Sequence, residues 1–244
     1  MRKSRRTAKS AILVLVLSIC VATTAGLAGF GHQWGWWHFG QGFKILRWAV
    51  YAAVLVLGTS VFACIAARPG GPKRGFVMAV LALMGSLPVL VIPAMELQAA
   101  RSLPPIHDIS TDTNEPPVFK AIVTLRANAP NPLVYPGEGT ANQQRNAYPD
   151  IKPLVWDHST TETFTKAMAA AKKLGWEIVS TDANSGRIEA TATTFWFGFK
   201  DDVVIRIQAT TGGSRLDIRS VSRVGVSDVG ANAQRIRKFL HALQ

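Results

Sequence analysis

The chain has 244 residues, with 27 Lys and Arg against 15 Asp and Glu, which gives a formal charge of +12. Only 17% of the residues are charged, against roughly 25% in ordinary soluble domains, so a wholly soluble protein is disfavoured. Residues 1–100 hold 10 basic side chains and 1 acidic one, and residues 101–244 hold 17 and 14. The excess basic charge thus lies mostly beside apolar segments, and we expect no nucleic-acid partner. An apolar content of 48% with two cysteines also excludes disorder and a disulfide scaffold.

Three apolar stretches, near 11–30, 46–66 and 76–98, reach the ~20 residues that a helix needs to cross a membrane. They predict an integral membrane region with three spans over residues 1–98. Basic residues precede the first span and fill the loop between the second and third: Arg2, Lys3, Arg5, Arg6, Lys9, Arg68, Lys73 and Arg74. Because basic flanks stay cytoplasmic, the amino terminus is predicted inside and everything after Glu96 on the opposite side. In a bacterium this means an inner (plasma) membrane protein with a periplasmic carboxy-terminal domain.

Two features of the first span and its loop leave alternatives open. The basic start and Thr23-Thr24-Ala25 before Gly26 loosely resemble a signal peptide, so the span is either retained or cleaved. The loop 31–43 packs three tryptophans and two histidines into seven positions: His32, Trp34, Trp36, Trp37 and His38. The histidines could ligate a haem or a metal, but no Cys, Met or carboxylate in the loop completes a ligand set. Interfacial tryptophans explain the loop better, and we expect no metal and no cofactor.

Residues 99–153 contain nine prolines, which interrupt every candidate helix. The sequence predicts an extended, Pro-rich strap here, whose apolar residues lie on a folded domain. That domain is predicted over 154–244.

Regular periodicities begin after the strap. Ser159-Thr160-Thr161-Glu162 forms a capping box, and the residues that follow place an apolar face on a helix that ends at Gly175. Alternating strands follow at 176–181, 187–193, 203–209 and 215–224, with turns at 182–186 and Gly212-Gly213. Asp228 precedes a final amphipathic helix. The fold class is therefore α+β: three transmembrane helices, then a two-layer domain with an antiparallel sheet packed against two helices.

Several short motifs in this region occur in a fixed order: Ile106-His107-Asp108-Ile109-Ser110-Thr111-Asp112, Asn114-Glu115-Pro116-Pro117, Tyr148-Pro149-Asp150 and Gly186-Arg187-Ile188-Glu189-Ala190. Together they resemble the uncharacterised bacterial and plastid family called domain of unknown function 1499, in its membrane-anchored branch. The resemblance spans roughly 104–243. It implies an envelope-facing domain without an assigned activity, so it supplies no catalytic residue.

Two sets of residues are candidate contacts for a ligand or a partner. The run 195–199 has four aromatics in five positions, more than one buried strand face accommodates, and from it we select Trp196, Phe197 and Phe199. Strand alternation places several arginines on the sheet face that points away from the core, and from these we select Arg206, Arg219 and Arg223. Core packing of the aromatics and a solvated, paired sheet face are the simpler interpretations.

We therefore expect a non-catalytic binding protein of the cell envelope, whose partner is an anionic lipid, a glycan or an envelope protein. The alternative is an envelope enzyme or lipid-modifying factor, with an acid–base or metal site made of His107, Asp108 and Asp150 near the membrane exit. No nucleophile elbow, phosphate loop or dinucleotide motif in the sequence supports that enzyme.

Overall fold

The structure is a computed structural model, and it describes residues 8–70 and 74–243. The basic residues Arg2, Lys3, Arg5, Arg6 and Lys73, on which part of the predicted orientation depends, lie outside the described residues. The chain divides into two units. The first comprises Met1–Gln98 with Phe195–Gly198, and the second comprises Ala99–Thr194 with Phe199–Gln244.

The three predicted spans are confirmed as long helices: α1 is Lys9–Gln33, α2 is Phe39–Ala66 and α3 is Phe76–Ser102. Each is long and apolar enough to cross a membrane. α3 contains Pro88 and Pro93 within its length, which transmembrane helices tolerate better than soluble ones. By length and composition, the three helices are candidate membrane spans.

Small residues bring α1 and α2 close together. Ala25 of α1 and Ala49 and Ala53 of α2 are buried between these helices. A Cβ atom at Gly42 would lie 2.4 Å from the carbonyl oxygen of Ala28, so only glycine fits there. Small residues of this kind allow the close backbone approach that drives helix association in a bilayer, where the hydrophobic effect is absent.

The second unit contains a six-stranded sheet in which all pairs are antiparallel. Its strands are β1 Asp108–Ser110, β2 Leu154–Trp156, β3 Glu177–Asp182, β4 Arg187–Thr193, β5 Lys200–Thr210 and β6 Gly213–Ser222. The order is β1-β6-β5-β4-β3, and β2 pairs with the same edge of β6 as β1. The helices of this unit are α4 Glu138–Ala147, α5 Thr160–Lys173 and α6 Ala231–Leu243. The predicted α+β layout is confirmed.

Local signals in the sequence define α5 and the hairpin after it. Ser159 and Glu162 form the predicted capping box, with each side chain bonded to the backbone of the other residue. Gly175, with φ at 74°, follows the helix in the left-handed conformation that glycine tolerates. Gly186, with φ at 62°, closes the β3–β4 turn, and a Cβ there would meet the carbonyl oxygen of Ile207 at 2.1 Å.

One face of the sheet carries the main hydrophobic core. Alternate residues of β4, β5 and β6 point into it: Ile188, Ala190, Ala192, Val203, Ile205, Ile207, Leu216 and Ile218. Ala167 and Ala171 of α5 and Ile236 and Phe239 of α6 cover them, and Trp176 stacks on Phe239 at a ring-centroid distance of 5.3 Å. These residues alternate along each strand, as the alternating pattern of the sequence predicts.

The opposite face of the sheet is also covered, by part of the Pro-rich segment. Phe119 and Ile122 pack there on Val204 and Val221. The segment differs from the extended chain expected of it, because it contains α4 and a 3-10 turn at Ile122–Arg126. α4 forms because no proline lies between Pro136 and Pro149, which leaves room for ten helical residues.

Candidate functional site

An aromatic cluster is formed in the first unit by Phe30, Trp34, Trp36, Phe195, Trp196 and Phe197. The indole nitrogen Nε1 of Trp196 donates a hydrogen bond of 2.9 Å to the carbonyl oxygen of Gly26 in α1. Phe197 is buried, and its ring centroid lies 4.8 Å from that of Phe43 in α2. A Cβ at Gly29 would meet the Trp196 ring at 2.4 Å, so the absence of a side chain there makes room for the indole. Trp196 and Phe197 are thus held by contacts with helices.

Three other members of the aromatic cluster are exposed, and Phe30 is half-buried. Trp34 is 57% exposed, Trp36 is 60% exposed and Phe195 is 85% exposed. They are not isolated: Phe195 lies edge-on to Phe30 at 5.5 Å, Phe30 stacks on Trp34 at 5.9 Å, and Trp34 meets Trp36 at 4.9 Å. Trp34, Trp36 and Phe195 were not among the contacts predicted from the sequence. The sequence pointed to them only through the high density of aromatic residues in the loop 31–43 and in the run 195–199. That density does not distinguish rings that are fixed by contacts from rings that are exposed.

Phe199, the third aromatic predicted as a contact, belongs to the second unit and closes the loop after β4. Its backbone carbonyl accepts from the amide of Thr194 at 2.8 Å, and its amide donates to the Thr194 hydroxyl at 2.8 Å. Phe199 is half-buried. These bonds fix the loop ends at the start of β5.

The two loop histidines bond to nearby backbone. His38 accepts a hydrogen bond of 3.2 Å from the Gly40 amide through Nδ1, and so caps the start of α2. His32 places Nδ1 at 3.0 Å from the carbonyl oxygen of Trp37. Both contacts order the turn between α1 and α2.

The predicted open arginine face requires a correction. In the structure the arginine face is buried by residues 117–133 of the Pro-rich segment, which we call the covering segment, and the arginines pair with carboxylates. Arg219 is 2% exposed and holds Asp108, itself 1% exposed, through two bonds: Nε to Oδ1 at 2.9 Å and Nη2 to Oδ2 at 2.6 Å. The guanidinium also donates to the carbonyl oxygens of Pro117 and Leu133. Arg219 thus links β6, β1 and the covering segment.

Asp202 of β5 accepts hydrogen bonds from two arginines, Arg126 and Arg223. Its Oδ2 accepts from Nη1 of Arg126 at 2.8 Å and from Nε of Arg223 at 2.9 Å. Its Oδ1 accepts from Nη2 of Arg223 and from the hydroxyl of Thr191. Arg126, which the sequence analysis missed, reaches this site from the 3-10 turn.

Arg206 completes the set in a less buried position. Its Nη2 lies 3.1 Å from Oδ2 of Asp112 and 2.9 Å from Oδ2 of Asp217, the residue opposite it on β6. Arg215 donates to the same two carboxylates. Two arginines therefore meet two aspartates here, which satisfies the charges locally.

Glu189 shows how the covering segment is positioned. Its fully buried carboxylate accepts from the backbone amides of Lys120 at 2.7 Å and Ile122 at 2.9 Å. These amides lie at the start of the 3-10 turn, where backbone donors lack internal partners. The charge layer is the name we use below for these buried and half-buried groups: Asp108, Asp112, Arg126, Glu189, Asp202, Arg206, Arg215, Asp217, Arg219 and Arg223.

A tyrosine lies against the charge layer without taking part in its bonds. The ring of Tyr135 faces the guanidinium of Arg219 at 5.3 Å, and Phe119 faces it at the same distance. Burial, with a further contribution from the Asp108 carboxylate, raises the pKa of Tyr135 to about 12. The phenol is therefore neutral at physiological pH and stabilises the cation through its ring.

The residues of the predicted acid–base site are each engaged elsewhere. Asp108 is paired with Arg219, and His107 places Nδ1 at 3.2 Å from the carbonyl oxygen of Val226. Asp150 receives Nε and Nη2 of Arg237 at 2.6 and 2.7 Å, and these bonds hold its pKa below the ordinary value. A carboxylate held this way is a weak base. Within residues 8–70 and 74–243, no group of three or more His, Cys, Asp and Glu is placed to hold a metal ion.

Comparison with known proteins gives a family. The sequence model of the family described as "Protein of unknown function (DUF1499)" matches residues 108–243, more than half of the chain. No curated protein matches the chain. The matched region begins at β1 and ends at the last residue of α6, so it contains the whole sheet, the charge layer and the helices that cover the core. The chain belongs to this family of unknown function, and it carries three candidate membrane-spanning helices ahead of the family domain.

Proposed function

We propose that this protein is a non-catalytic binding protein of the bacterial cell envelope, and that its aromatic cluster contacts an amphipathic envelope component, such as a lipid or a lipid-linked glycan. The observation that carries the proposal is the exposure of Trp34, Trp36 and Phe195 beside rings that are held in place. Exposed aromatic groups on a fixed scaffold bind at little entropic cost, because few rotamers remain to be ordered.

The proposal includes an orientation. The turn between α1 and α2 lies at the opposite end of α1 from Ala8, whose amide bonds to the carbonyl oxygen of Arg74. If Arg74 and the basic residues near Ala8 lie in the cytoplasm, as the distribution of basic residues predicts, the aromatic cluster lies at the external surface of the inner membrane. Tryptophan favours this depth because its ring is apolar and its N–H needs a polar partner. A component presented at that surface would reach Trp34, Trp36 and Phe195 without leaving the membrane.

The charge layer is not the proposed contact surface. Arg219 and Arg223 are bonded to Asp108 and Asp202, and Arg206 is bonded to Asp112 and Asp217. Binding an external anion would require these pairs to open, which leaves a carboxylate unpaired in a buried site. Nor does an observation favour the enzyme alternative, because Asp108 and Asp150 are both held by arginines.

The test is native mass spectrometry of the full chain, extracted gently from its own membrane. The wild type is expected to retain a bound lipid or glycolipid mass, and Trp36→Ala and Phe195→Ala should each lose most of it. Val226→Ala is the matched control, since Val226 is an exposed apolar residue of the second unit. Equal retention by all four proteins, or a wild type without any bound component, would contradict the proposal.

A further inference from the structure

The outward face of α2 carries a second unusual combination of side chains. Arg47 and Trp48 lie three and four residues after Lys44, and Tyr51 lies four residues after Arg47 and three after Trp48, so these side chains share one side of the helix. The side of α2 that packs against α1 is formed instead by small residues such as Gly42, Ala49 and Ala53. Trp48 is 71% exposed and Tyr51 is 56% exposed, and their rings meet edge-on at 5.7 Å.

The two basic residues lie at a particular depth. The stretch 48–67 contains no charged residue, and its twenty residues at 1.5 Å each cover about 30 Å, the thickness of the hydrocarbon core. Arg47 is therefore at the edge of that core, and Lys44 lies one turn beyond it. This is the depth of lipid phosphates, where long basic side chains extend toward the polar surface.

The charges of Lys44 and Arg47 lack a counterpart among the residues that the structure describes. Both side chains are exposed, and no carboxylate of residues 8–70 or 74–243 forms an ion pair with either. Glu96 is the one acidic residue among the first hundred. Basic residues are disfavoured on the external flank of a span, so the membrane topology does not account for this pair. A negatively charged group from the membrane would neutralise it.

We propose that Lys44 and Arg47 bind the phosphate of an anionic glycerophospholipid, whose acyl chains lie along Trp48, Tyr51 and Leu55. The guanidinium of Arg47 can hold two phosphate oxygens in parallel, and Lys44 adds a point charge one turn away. Trp48 and Tyr51 supply rings at the interfacial depth, and Leu55 is exposed below them on the same face. The site is separate from the aromatic cluster, but it rests on α2 spanning the membrane in the orientation proposed above.

The test titrates the full chain, in mild detergent, with phosphatidylglycerol and, in parallel, with phosphatidylcholine of the same acyl chains. Native mass spectrometry reads the bound fraction. The wild type is expected to prefer phosphatidylglycerol, and Lys44→Gln with Arg47→Gln should weaken that binding about 30-fold, at the usual contribution of two basic groups near a membrane surface. Binding of phosphatidylcholine should change little.

Arg68→Gln is the matched control, because Arg68 is an exposed basic residue at the other end of α2. Arg47→Lys should lie between the wild type and the double variant, since it keeps the charge but loses the planar fork. A wild type without preference between the two lipids overturns the proposal before any variant is made. An equal loss in Arg68→Gln also overturns it. The test of the aromatic cluster measures components retained from the native membrane, whereas this test measures added lipids. Either proposal can therefore fail alone.

Discussion

Asp108→Asn tests whether the charge layer stabilises the domain. The substitution keeps the shape of the side chain but removes the charge that faces Arg219, and both residues are almost fully buried. Breaking a buried ion pair from one side costs about 3–5 kcal/mol, because an uncompensated charge remains in a poorly hydrated site. The opening free energy of β1 and β6 should fall by that amount, a large part of the total stability of a small domain.

Hydrogen exchange read by mass spectrometry, on the full chain in detergent micelles, measures this opening free energy strand by strand. Asp150→Asn is the matched control, since Asp150 and Arg237 form the same two-bonded geometry with side chains 54% and 42% exposed. An exposed pair of this kind is expected to contribute less than about 1 kcal/mol. If Asp108→Asn destabilises the sheet no more than Asp150→Asn, the reasoning is refuted.

Three further predictions concern the stability of the second unit, each measured by chemical denaturation of the full chain in micelles. Ser159→Ala should cost about 1 kcal/mol, because α5 loses its cap. Gly186→Ala should cost about 1–3 kcal/mol through its positive φ and the close carbonyl of Ile207, whereas Gly212→Ala, with open space around it, should be nearly neutral. Burial raises the pKa of Asp228 above its ordinary 3.8, so the folded state binds that proton more tightly and loses stability as the pH rises through this range. The free energy of unfolding of Asp228→Asn, minus that of the wild type, should therefore be larger at pH 7 than at pH 3.5. A difference that does not change with pH would contradict this.

The parts of the fold that could be predicted are those determined by residues close together in the sequence. The inward positions of β4 and β5 follow from strict alternation, as at Ile188 and Ile205, and the start of α5 follows from four consecutive residues. In such segments the side-chain period and the cap are set locally, so one sequence is sufficient to read them.

The charge layer was not predictable in the same way. Asp108 and Arg219 are 111 residues apart, and Arg126 and Asp202 are 76 apart, so no short pattern links them. Alternation correctly placed Arg206 and Arg219 on the face away from the core, but it cannot show whether that face meets water or another segment. The apolar residues Phe119 and Ile122 were the signal that the Pro-rich segment would cover it.

The aromatic run was predictable only as a whole. Its density indicated a special role, yet the rings divide between fixed and exposed positions for reasons outside the run. Trp196 is fixed because Gly29 leaves space for its ring and Gly26, 170 residues earlier, accepts its hydrogen bond. Phe195, by contrast, is 85% exposed, and its ring meets the edge of Phe30.

The pairing of β1 with β6 has a consequence for the order in which the domain is completed. β1 is the first strand of the sheet along the chain, and its partner residues Arg219–Val221 belong to the last strand, β6. Closing a loop of this length is entropically costly, and it must precede the contacts that repay it. Until β6 is synthesised, Asp108 lacks the guanidinium of Arg219 that pairs with it in the folded domain. β1 can therefore pair only after Arg219–Val221 have been synthesised, and a nascent chain stalled before residue 219 would present β1 unpaired.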